Sequence, residues 1–113
     1  MSLIEINSLK QKFSSILKNI FGPSLAITIT FHMKRTLNEE PTGVLLESPR
    51  TYYEGLQELF GEKGAQHIIF LIEDELLRKN VISSSRNLLM LFLENNKEKL
   101  DEIWRELIKS NAL

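Results

Sequence analysis

Cysteine is absent from the 113 residues. Disulfides, thiol catalysis and thiolate metal sites are therefore excluded. Apolar runs such as Ile68 to Ile72 are far too short for a bilayer, which takes about 20 apolar residues. No basic segment followed by a long apolar one opens the chain. Together these absences set the expectation of a cytoplasmic protein outside the membrane. An excess of one charge is missing too: 14 Lys and Arg stand against 15 Asp and Glu, for a net charge of −1. That balance gives no electrostatic reason for tight binding to nucleic acid or anionic lipid, and the Lys and Arg residues are spread along the chain among Glu and Asp.

What is present is ordinary for a globular chain: 42% apolar and 26% charged residues, at a length that suits one domain with one core. Ile6, Leu9, Phe13, Ile16, Leu17 and Ile20 recur at steps of three and four. They predict an amphipathic helix that starts near Asn7 or Ser8 and stops at Gly22-Pro23. The opening Met1-Ser2-Leu3 is given no functional weight. Leu25, Ile27, Ile29, Phe31 and Met33 alternate with Ala26, Thr28, Thr30 and His32, which taken locally is a strand pattern. A lone strand leaves its backbone unpaired, and the only other strand-like stretch, Gly43 to Leu46, is short. Pro23 also suits the first position of a helix. Helix is therefore expected, buried on more than one side.

Asn38 to Glu47 is expected to be a polar connection. Ser48-Pro49 opens the next helix, with Ser as N-cap, and Gly61 closes it. A fourth helix runs from about Glu62 to Lys79, with Glu73-Asp74-Glu75 on its solvated side. One of Ser83, Ser84 or Ser85 caps a last helical region reaching about Lys109. That region is one long helix or two short ones divided at Asn95-Asn96.

Four blocks carry a family resemblance: Phe21-Gly22-Pro23-Ser24, the apolar segment through His32, Ser48-Pro49-Arg50-Thr51-Tyr52-Tyr53-Glu54-Gly55-Leu56, and Leu59-Phe60-Gly61-Glu62-Lys63-Gly64-Ala65. By these blocks and their spacing, residues from about 9 to 79 resemble small archaeal helical modules known as archaeal output domains. The resemblance implies four helices, helix rather than strand after Gly22, and a regulatory or signalling-output role. It brings no catalytic residues.

The fold expected is thus all-α: a compact single-domain bundle of four helices plus a C-terminal helix. Residues 1–80 form the module and residues 81–113 an extension that packs on the module or on a partner.

Catalytic patterns are missing. His32 and His67 are the only histidines and lack zinc-site spacing. Phosphate-cradling glycine loops and the Gly-x-Ser-x-Gly elbow are absent. The acidic runs read as solvated faces, and Ser24 reads as a helix-start residue. The chain is therefore expected to be no enzyme and to hold no cofactor and no metal. Tyr52 and Tyr53 beside Arg50 suggest base stacking, although adjacent helical positions send at least one of them inward.

Leu89, Leu93, Asn96, Leu100, Ile103 and Leu107 are spaced four, three, four, three and four, with Trp104 alongside. This is an a/d seam with one polar member. It is the candidate partner or self-association surface, with a homodimer as one outcome. Packing onto the chain's own helices is the other, as is a break at Asn96 that makes it a cap. The function expected is a helical protein–protein interaction module. The alternative is a small nucleic-acid-associated protein that gathers Lys34, Arg35 and Arg50 on one face.

Overall fold

The computed structural model describes residues 1–111. Positions 112 and 113 of the expected extension lie outside the described residues. Six helices follow one another: α1 Leu3–Phe21, α2 Pro23–Leu37, α3 Pro41–Glu47, α4 Pro49–Arg78, α5 Leu88–Leu93 and α6 Lys97–Lys109. The fold is all-α.

Helix α1 begins earlier than its apolar rhythm. Ser2 Oγ accepts the Glu5 backbone N–H and the Glu5 carboxylate accepts the Ser2 N–H, a reciprocal capping box. Leu3 and Ile4 are exposed, so periodicity gives no sign of this first turn. Leu9, Phe13, Ile16 and Leu17 face the core.

Gly22 ends α1 at φ 83°, ψ 160°, a conformation almost confined to glycine. Pro23 then takes the first position of α2. Gly61 repeats the geometry at φ 77°, ψ 173° and breaks α4 into the two helical segments expected from the sequence. Each of these glycines follows a phenylalanine, Phe21 or Phe60.

Two expectations are corrected here. Pro41–Glu47 is a helix and not a polar connection, and it buries Pro41, Thr42, Val44 and Leu45. Seven residues are too few to show a helical period, although Pro41 sits where a helix-starting proline belongs. Helix α2 is buried on one side only, through Ala26, Ile29 and Met33; Leu25, Ile27 and Phe31 remain exposed.

The C-terminal region is two short helices. Asn95 adopts left-handed backbone at φ 54°, and Asn96 Oδ1 accepts the Lys99 N–H at 3.1 Å as the N-cap of α6. Asn95 Oδ1 also accepts the Arg50 N–H at 3.1 Å, while Arg50 Nη1 donates to the Leu93 carbonyl at 2.7 Å. The start of α4 and the end of α5 thus satisfy each other.

The serines do not cap α5. Its N-cap residue, Asn87, makes no side-chain capping bond. Glu73 Oε2, from α4, instead accepts the N–H groups of Arg86 (2.9 Å) and Leu88 (3.3 Å) and the Ser85 hydroxyl (3.3 Å). Glu73 and Glu75 are therefore buried, not solvated. Glu75 accepts from Asn19 Nδ2 at 3.0 Å and Arg78 Nη2 at 2.6 Å.

One core joins all six helices. Phe13 of α1 meets Tyr52 of α4 and Trp104 of α6 edge-on, with centroids 6.1 and 5.7 Å apart, and Phe92 of α5 touches both Tyr52 and Trp104. Lys12 of α1 donates to the Ile108 carbonyl at 2.6 Å and to the Ser110 carbonyl, closing the end of α6. The radius of gyration, 12.8 Å, matches the roughly 13 Å of one folded domain of this size. The core continues past Ile82 through Leu88, Leu91, Phe92, Leu100, Ile103, Trp104 and Leu107.

Candidate interaction surface

The C-terminal seam does not form the surface the sequence suggested. Leu100, Ile103, Trp104 and Leu107 are buried in the chain's own core, Leu89 and Leu93 are half-buried against it, and Asn96 is a cap. The break at Asn95-Asn96 divides the heptad pattern between α5 and α6, and its α6 members Leu100, Ile103 and Leu107 all face the core.

The other singled-out residues are also accounted for. Tyr52 and Tyr53 are both buried, so neither offers a stacking platform. Burial raises the pKa of each phenol above its ordinary value. Arg50 is tied to Leu93 and stands 3.7 Å from Glu54. His32 is exposed and meets the Phe31 ring edge-on at 5.6 Å, and His67 is exposed. Among the described residues no group of three His, Asp or Glu side chains is placed to hold a metal ion.

The exposed apolar side chains gather elsewhere. Ile27 (63% exposed) and Phe31 (58%) lie four residues apart on the outer side of α2. One helical turn brings such a pair together. They line a groove together with Ser14 and Lys18 of α1 and with Ala26 and Thr30 of α2. Further along the same seam, Ser14 and Thr30 border a deeper cavity that Lys10 and Glu40 overhang.

Positive charge surrounds this groove. The Arg35 guanidinium lies 5.9 Å from the Phe31 ring centre, within cation–π reach. Lys18 and Lys34 form no ion pair among the described residues. Residues 3–37, which make up α1 and α2, hold five of the chain's 14 Lys and Arg but only one of its 15 Asp and Glu. The near-neutral total hides a basic hairpin set against an acidic remainder. Counting charge by helix rather than over the whole chain reveals it; the alternating apolar residues of α2 had pointed to burial.

No family model, curated protein or solved structure matches the chain.

Proposed function

We propose that the protein is a non-enzymatic interaction module whose α1–α2 groove receives an acidic, amphipathic segment of another protein. The observation that carries this reading is the exposed Ile27–Phe31 pair, with Lys18 in the same groove, Arg35 beside the Phe31 ring and Lys34 one helical turn beyond Phe31. Apolar anchors give such a groove affinity, and surrounding charge gives it partner choice. Two copies meeting face to face through α2 would oppose like charges, so charge complementarity favours a different chain. A regulatory or output role is consistent with the resemblance of residues 9–79 to archaeal output domains.

The test compares immobilised wild-type chain with an Ile27→Ser, Phe31→Ser double variant and with Lys18→Glu, each exposed to extract from the native cells. Retention of one acidic protein by the wild type, lost in the double variant and weakened in Lys18→Glu, supports the reading. Equal retention by all three overturns it. So does retention of nucleic acid that Lys18→Glu abolishes and the double variant keeps, which is the signature of the nucleic-acid alternative.

A further inference from the structure

Beneath the groove, between α1, α2, α3 and α4, lies a cavity of about 90 Å3. Phe13, Leu17, Ile29, Met33 and Leu45 supply apolar walls. Ser14, Thr30, Lys10 and Glu40 line it as well, and so do two buried hydroxyl residues, Thr42, 7% exposed, and Tyr52, 3% exposed. Neither hydroxyl has a hydrogen-bond partner among the described residues, and neither is sealed from solvent, unlike the Trp104 indole Nε1.

Both hydroxyls therefore reach solvent-sized space and stay open to a partner that enters it. Burial also keeps the Tyr52 phenol neutral well past its ordinary range, so it stays a hydrogen-bond donor. At the mouth, Lys10 Nζ and Glu40 Oε1 stand 3.4 Å apart with both side chains about half exposed. Exposed pairs of this kind are weak, so the mouth is lightly latched. Lys10 and Glu40 neutralise each other, and no charged side chain lies deeper among the lining residues. An ion entering would meet no counter-charge.

We infer that the cavity is a binding site for a small uncharged amphiphile, a molecule with a branched apolar body and one hydroxyl or carbonyl group that pairs with Tyr52 and Thr42. An apolar cavity of roughly 150 Å3 accepts benzene; the smaller space here suits a body of about four to six heavy atoms. The site is separate from the exposed face of α2 and stands whether or not that face binds a protein.

Isobutanol is the probe, followed by amide chemical shifts in the full-length protein. Saturable shifts confined to the neighbourhood of Ile29, Thr42, Leu45 and Tyr52, with roughly millimolar affinity, are the expected result. Isobutyrate and isobutylammonium, the same body with a charge, should bind at least tenfold more weakly. Tyr52→Phe and Thr42→Val remove one hydroxyl each without changing shape, and each should weaken isobutanol several-fold. Leu45→Phe, which fills the space, should abolish the response. If that variant fails to fold, the two isosteric variants decide the matter. Shifts that never saturate, that spread over the surface, or that survive loss of both hydroxyls overturn the proposal, as does equal binding of the charged probes.

Discussion

The carboxylate of Glu73 accepts the backbone N–H of Leu88 at 3.3 Å, so a side chain in α4 caps a helix that starts fifteen residues later. The same oxygen holds the N–H of Arg86 and the hydroxyl of Ser85. The Ser83–Asn87 loop therefore depends on one buried acid.

Replacing Glu73 with Ala should cost about 2–4 kcal/mol, since it strips several bonds to a charged acceptor and leaves backbone donors unpaired. Urea denaturation checks the magnitude. Hydrogen exchange should show the loss concentrated at residues 85–92. Uniform loss of protection would mean the acid is not a local cap.

Glycine replacements should divide by backbone geometry. Gly61→Ala and Gly22→Ala force a side chain into φ 77° and 83°, a cost of about 1–3 kcal/mol each. Gly43→Ala lies inside α3 with open space around its Cβ and should stabilise by about 0.5–1 kcal/mol. Gly55→Ala brings a Cβ to 3.0 Å from Leu37 Cδ2, so it destabilises unless that side chain shifts. Thermal melts of the four variants give the signs directly.

The Ser2 backbone N–H, then its hydroxyl, and then Arg105 hold the Glu5 carboxyl below its ordinary range. A depressed pKa means the unfolded state takes up the proton first as pH falls. The stabilisation is present above about pH 4.5 and is lost as pH drops through the folded value. Glu5→Gln should flatten that acid limb, as read from melting temperature between pH 5 and 2.

Tyr52 acts at the other end of the scale. Burial raises its pKa, so its contribution is complete below the unfolded value near 10 and fades as pH climbs above it. Tyr52→Phe should lose the part of the alkaline destabilisation that belongs to this phenol. An unchanged alkaline limb would mean the ring is less buried in solution.

Ending the chain after Ile82 should leave no cooperative unfolding transition. Phe92, Leu100, Ile103, Trp104 and Leu107 are all buried in the common core, and large core side chains contribute about 3–5 kcal/mol apiece. Such a loss exceeds what a domain this size holds in reserve. A truncated chain with a sharp melt would mean that residues 1–82 fold on their own.

Most helix boundaries were legible because single residues carry them. Pro23, Ser48-Pro49 and Gly61 each act through their own backbone chemistry. Every non-glycine residue with positive φ among the described residues is an asparagine, namely Asn38, Asn80, Asn87 and Asn95, the residue type that tolerates that region best. Of these, only the break at Asn95 was anticipated.

What stayed hidden depends on contacts between distant segments. Glu73 sits in an acidic run that reads as solvated, and its partners arrive twelve to fifteen residues later. The stripe from Leu89 to Leu107 is apolar whether it meets its own chain or another. The alternating residues of α2 carry more apolar surface than one buried side needs, and only the packed structure says which side is left open.

The bond from Lys12 to the Ile108 carbonyl spans 96 residues, and Phe13 rests on Trp104. The first helix described therefore has lasting neighbours in the last one. Helix α1 also packs on α2, α3 and α4, so α6 completes a set of neighbours that the earlier helices begin. Contacts this distant along the chain close a loop of nearly a hundred residues, and such long-range closure slows folding.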